Sequence, residues 1–125
     1  MARLYLLISA GGVFLAALSY GLAPHLVLPI ALDVTVDGTD MTHIFRAIMG
    51  LYLGMAVFWL LGAFRESLTR SAVLAVIFFM VGLAAGRLLS IVIDGPASSL
   101  LLGYAALEIA IGLWGIFVLR RLDAA

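Results

Sequence analysis

The sequence predicts an all-α fold, an integral membrane four-helix bundle with both termini on the cytoplasmic side. Three observations carry that prediction. Hydrophobic residues make up 66% of the 125 positions and charged residues 11%, with a mean hydropathy of +1.26. A soluble domain holds roughly 45–50% apolar and about 25% charged residues. The apolar surplus comes in continuous runs of about 20 residues with almost no charge, as a spanning helix requires. Finally, Arg3, Arg65, Arg70, Arg120 and Arg121 all fall on one side of a four-span arrangement, whereas Asp33, Asp37, Asp40 and Asp94 fall on the other. Positive residues mark the cytoplasmic face, so the acidic loops point outward and the expected location is the bacterial inner membrane, crossed several times.

The spans follow in order, filling residues 1–125 as a single transmembrane domain. The first covers about residues 4–23 and stops at Pro24. A cleavable leader is the competing reading, from Arg3 and the small-x-small site Ala17-Leu18-Ser19, but the apolar run is long for a leader core. Ser9, Gly12, Ala16 and Ser19 fall at helical spacing and form a small-residue face. The connection from His25 to Met41 has an apolar part with Pro29 inside it, expected to lie in the interface or cap the bundle. Its segment Asp33-Val-Thr-Val-Asp37 alternates apolar and polar residues before Gly38, which fits a short extended excursion and a turn. Asp40 or Thr42 would cap the second span, about 42–64. Arg65 to Arg70 forms a short charged turn. The third span, about 71–93, is stopped by Asp94-Gly95-Pro96, and the fourth covers about 98–119. Gly50 and Gly54, and likewise Gly82 and Gly86, are spaced to let helices approach closely.

Three of these spans carry an ionisable group: Arg46, Arg87 and Glu108. A charge at the centre of a membrane helix costs roughly 2.5–3.5 kcal/mol on insertion scales and therefore faces a partner or a cavity. At ~1.5 Å of rise per residue, Arg87 lies roughly 10 Å below the outer end of its helix, and Glu108 near mid-depth. Arg46 lies about one turn in. His43, Tyr52, Ser90, Asp94 and Tyr104 are nearby in depth or share those faces, so together these positions outline a polar pocket in the outer half of the bundle.

Several functions fit such a pocket. Two arginines around one carboxylate suit the head of an amphipathic or anionic lipid-like ligand, since a guanidinium grips carboxylate or phosphate in bidentate fashion. Apolar walls would hold the tail. The first alternative is a structural or accessory subunit of a larger membrane complex, with a protein partner in the membrane, in which Arg and Glu merely neutralise each other. The second is a small proton-coupled transporter that uses Glu108, which requires a carboxylate not clamped by arginine. Small multidrug exporters keep their glutamate in the first helix, and here that helix has no acid.

Other chemistries are poorly served. Cysteine is absent, which removes thiolate metal sites and thiol nucleophiles. His43 with Asp40 is a thin basis for acid–base catalysis, and His25 and His43 have no metal-ligand spacing. The protein is therefore read as non-enzymatic, without cofactor or metal. A formal charge of zero gives no electrostatic case for nucleic acid. Tyr5, Tyr20, Trp59 and Trp114 are read as packing or interface residues.

The run His43-Ile-Phe-Arg46-Ala-Ile-Met-Gly50-Leu-Tyr52-Leu-Gly54, then Gly86-Arg87-Leu-Leu-Ser90, Asp94-Gly95 and Glu108 in a fourth helix, resembles a bacterial family of small four-helix membrane proteins. That family is a domain of unknown function, loosely grouped with the DoxX-like membrane proteins. The resemblance implies a four-helix bundle with both ends inside, and it brings no activity, substrate or catalytic residue. The polar positions in these motifs are the ones favoured as the site.

Overall fold

The computed structural model describes residues 1–32 and 34–125. Its elements are five helices: α1 Ala2–Gly21, α2 Pro24–Ala31, α3 Gly38–Phe64, α4 Glu66–Asp94 and α5 Ser99–Ala124. Four of them, all but α2, are long and apolar enough to cross a membrane. They are apolar all round rather than along one stripe, as suits a helix with lipid on its outer side. Phe78, Leu15, Phe64, Leu113 and Val92 stand exposed on the outside, a surface that water would not tolerate over so large a contiguous area.

Local signals account for the boundaries. Ala23 leaves the helical region and Pro24 opens α2 at its first position, where its missing N–H costs nothing. The connection expected after the first span is therefore partly helical. Pro24 and Leu28 are buried, and α2 rests on α1 and α3. Residues 34–37 have no regular secondary structure, and Asp33, with its place in the expected extended excursion and acidic loop, lies outside the described residues. Helix α3 begins four residues earlier than the expected span, at Gly38, whose φ of 81° only glycine adopts easily. Neither Asp40 nor Thr42 caps it. Asp40 sits in the first turn, and Thr42 Oγ1 donates back to the Gly38 carbonyl at 3.1 Å. At the far end of α4, Gly95 takes φ of 92° and donates to the Ile91 carbonyl at 3.1 Å. The Asp94-Gly95-Pro96 stop thus works as the sequence implies.

The long helices alternate in direction. Helix α1 lies along α3, α4 packs against both α3 and α5, and α1 closes the ring on α4 and α5 over a smaller area. Packing is concentrated at the end that holds the two termini and the α3–α4 turn. There Tyr5 is fully buried, donates to the Ile111 carbonyl at 3.0 Å and meets Trp114 edge-on at 5.0 Å. Arg3 Nε donates to the Ala63 carbonyl at 3.1 Å with its guanidinium 5.5 Å from the Phe64 ring. The α3–α4 turn is a single extended residue, Arg65, tied by Thr69 Oγ1 donating to the Gly62 carbonyl at 2.6 Å. Trp59, Val73, Val76, Ile77, Met80 and Val118 complete the core.

Toward the opposite end the helices part. The buried residues of α3 all fall between Ala56 and Ala63, and those of α4 between Ala72 and Ala84. The glycines expected to mediate helix packing, Gly50, Gly54, Gly82 and Gly86, are exposed, and a Cβ at any of them would meet nothing within 4 Å. The spacing puts each pair on one face but does not say whether that face meets a neighbour. Close approach is made elsewhere. Gly62 faces Ala72 of the next helix, Gly115 faces the Tyr5 hydroxyl and Ile77, and Gly21 faces Met49.

At the packed end Arg70 and Asp123 form a two-point ion pair, at 2.8 and 3.1 Å. Arg70 holds the Asp123 carboxyl below its ordinary value by hydrogen bonding. The tie is thus in place above the ordinary carboxylate pKa of about 3.9 and is lost as pH falls through the lower folded value. Both side chains are exposed, so its contribution is small. We expect the protection of amides in the last turn of α5, measured relative to the intrinsic exchange rate at each pH, to fall on acidification in the native protein but not in Asp123→Asn. For the core, Gly115→Ala should destabilise the detergent-solubilised protein by about 1–3 kcal/mol through overpacking. Gly54→Ala, facing open space, should be neutral or stabilising by up to about 1 kcal/mol. Thermal unfolding of the two variants side by side measures the contrast.

Candidate functional site

The parted half contains the charged pair. Arg87, seven residues from the end of α4, and Glu108, in the tenth position of α5, face each other across the α4–α5 contact. Arg87 Nε donates to both carboxylate oxygens of Glu108, at 3.0 and 2.9 Å. The side chains are 21% and 10% exposed, so each charge is largely withdrawn from solvent and needs the other. Both hydrogen bonds run through Nε. The Tyr20 hydroxyl is a further hydrogen-bond partner of the Arg87 side chain, and the guanidinium carbon lies 5.9 Å from the Tyr104 ring.

Two cavities meet at Arg87, and Glu108 borders the smaller of them. The larger, about 630 Å³, lies between α3, α4 and the start of α5. Its walls are mainly apolar, with Gly82 and Gly86 leaving room on α4 and Arg87 and Ser90 as its polar side chains beside Tyr52. The smaller, about 130 Å³, lies among α1, α4 and α5, with Tyr52 reaching it from α3. Ser9, Tyr20, Tyr52, Arg87, Tyr104 and Glu108 bring polar groups to it. Arg87, Tyr52, Phe79 and Leu83 line both cavities and form the partition between them.

An aromatic chain braces that partition. Tyr20 stacks on Phe45 at 6.4 Å and meets Tyr52 edge-on at 5.9 Å. Tyr52 meets Phe79 at 5.1 Å, and Phe79 meets Trp59 at 5.3 Å. Edge-to-face pairs at these separations contribute about 0.5–1.5 kcal/mol each beyond their burial. They link α1, α3 and α4 where the glycine-bearing faces do not touch.

The residues singled out from sequence divide into two groups. Arg87, Glu108, Tyr104, Tyr52 and Ser90 come together around the cavities. Ser90 Oγ donates to Asp94 Oδ2 at 2.9 Å near the end of α4, and Asp94 lines neither cavity. Arg46 and His43 are exposed on α3, line neither cavity, and make no ion pair among the described residues. Helix depth alone placed Arg46 level with the others; its rotation about the α3 axis turns it away. Among the described residues no three His, Asp or Glu side chains gather in a group able to hold a metal ion.

Two polar residues that the sequence reads as packing positions, Ser9 and Tyr20, line the smaller cavity. Ser9 is 1% exposed, and its hydroxyl is enclosed and partnered by Tyr5. The signal was present in the small-residue face Ser9, Gly12, Ala16, of which all three line the smaller cavity. The face leaves space between helices rather than closing it.

Removing half of the ion pair should be worse than removing all of it. We expect Glu108→Ala to lower stability in detergent by about 3 kcal/mol, because it strands the Arg87 charge among apolar helices. The double replacement Arg87→Met with Glu108→Met should recover most of that loss, as read by thermal unfolding.

Comparison with known proteins adds a family and no activity. No curated protein and no solved structure matches the chain. The model of a family described as a domain of unknown function, DUF4345, matches residues 1–119. That match takes in α1 to α4 and nearly all of α5, with Arg87 and Glu108 inside it, and the chain belongs to the DUF4345 family.

Proposed function

We propose that this is a multi-pass protein of the bacterial inner membrane that binds an amphipathic, lipid-like molecule between its parted helices. One observation carries the reading: a mainly apolar cavity of about 630 Å³ is bordered by Arg87 and Ser90, which offer polar groups to a head beside apolar walls that fit a tail. A site that buries an apolar tail and offers a few fixed donors to a head is the usual form of a small-molecule pocket. Structural charge neutralisation alone would need the Arg87–Glu108 contact but no void beside it. The transporter reading has less support, because both oxygens of Glu108 are held by Arg87 and a clamped carboxylate is a poor proton carrier.

The proposed orientation has the packed end, with Arg3, Arg65, Arg120 and Arg121, in the cytoplasm, and the end with Asp37, Asp40 and Asp94 outside. The cavities then open in the outer half of the membrane.

The chain has no cysteine, so single cysteines report topology without background. Ala97→Cys should react with a membrane-impermeant maleimide in intact cells and Ser67→Cys only after lysis; the reverse pattern would overturn the orientation. For binding, Gly86→Leu places a side chain in open space within the larger cavity and raises helix propensity by roughly 0.5–1 kcal/mol. Native mass spectrometry of mildly extracted protein should find a bound lipid on the wild type and little on Gly86→Leu. An empty wild type, or equal occupancy in both, would end the proposal.

A further inference from the structure

We infer that Phe79 is the floor of the larger cavity and limits the tail it accepts to about ten carbons. This rests on the reading that an amphipathic ligand occupies that cavity with its head beside Arg87 and Ser90. The lining residues can be ordered by depth, because α3 and α4 run in opposite directions from the turn at Arg65. Gly95 and Ala97 mark the outer rim, and Ser90 and Arg87 follow one and two turns down α4. Phe79 is the deepest α4 residue on the wall, and Leu51 and Tyr52 of α3 stand at nearly the same distance from Arg65. Below this level the bundle is closed, with Ala56, Trp59 and Val76 buried. Arg87 lies eight residues above Phe79, which is about 12 Å along a helix. An extended alkyl chain with ~1.5 Å bonds advances roughly 1.25 Å per carbon, so about ten carbons fill that depth.

The floor is held in place by the rings around it. Phe79 meets Tyr52 edge-on at 5.1 Å and Trp59 edge-on at 5.3 Å, and Trp59 is fully buried. Tyr52 is itself edge-on to Tyr20 at 5.9 Å. Such contacts are directional, so the Phe79 ring swings aside only by giving up both of its own. It also belongs to the partition that separates the larger cavity from the smaller. A tail pressed past it would meet close-packed core, where overfilling is penalised. Phe79 is therefore a stop, and a tail within its limit lies wholly in the larger cavity. One turn above the ring Gly82 leaves the wall open, since a Cβ there would meet nothing within 4 Å.

The test offers the protein, held in lipid nanodiscs, two series of single-chain amphiphiles, 1-acylglycerols and alkyl phosphates. Their tails run from about eight to about sixteen carbons and so bracket the expected depth. Native mass spectrometry reads the bound tails, and each is normalised to its share of the surrounding disc, so the gain from leaving water cancels. We expect enrichment to hold up to about ten carbons and to fall at least about fivefold by about sixteen. Phe79→Leu, which keeps an apolar side chain and should fold, should move that break to longer tails by about two carbons. Gly82→Leu raises the floor by about one turn and should move it to shorter tails. Phe78→Leu, on the exposed side of α4, should leave it in place. Uniform enrichment at all lengths would mean that the tail escapes between the helices, and the floor inference fails while lipid binding stands. A break that neither Phe79→Leu nor Gly82→Leu moves is set elsewhere and overturns it as well. If neither series is retained, the lipid-binding reading itself is overturned.

Discussion

A guanidinium among apolar helices must have a counter-charge, and most of what distinguishes this bundle follows from how Arg87 obtains one. Glu108 on the neighbouring helix supplies it through the Arg87 Nε. That fixes the rotation of α4 against α5 along the parted half, where few other contacts do so. Ion pairs of this kind are weak sources of net stability, because the cost of desolvating both groups offsets most of their attraction. Their effect is on register. Any rotation of α4 that separated the pair would strand a charge in a dry site.

The bundle is built as a clamp. Its packed end holds Tyr5, Trp59 and the single-residue turn at Arg65, and there glycines are used for contact: Gly62 against Ala72, Gly115 against Tyr5. At the other end Gly21 still meets Met49, but other glycines leave space. Gly82 and Gly86 flank the larger cavity, and Gly12 the smaller. The same residue type thus serves two opposite purposes according to the distance between helix axes. The aromatic chain from Phe45 to Trp59 runs across α1, α3 and α4 and ties the two zones together.

Membership of the DUF4345 family brings no activity with it, so the functional argument stands on the cavities and the pair. Their chemistry is narrow. One neutralised arginine, one carboxylate, a buried serine and three tyrosines around apolar walls offer hydrogen bonds and little net charge. Such a lining is what the proposed binding of an amphipathic molecule calls for.

The sequence by itself determined what depends on local composition. Runs of apolar residues long enough to span a bilayer gave four long helices, Pro24 and Asp94-Gly95-Pro96 gave two of the breaks, and the placement of arginines gave the sidedness of the charges. It also named Arg87, Glu108, Tyr52, Tyr104 and Ser90, because a polar group in an apolar helix stands out. The tertiary structure alone decided the rest. Whether Arg46 joins Arg87 depends on the rotation of α3 about its axis, and whether Gly50, Gly54, Gly82 and Gly86 touch a neighbour depends on how far the helices diverge. Whether Ser9 only packs or also borders a cavity depends on where α1 meets its neighbours. Spacing along one helix fixes which residues share a face, but what that face meets is set by the other helices, and those contacts are made between residues far apart in the chain.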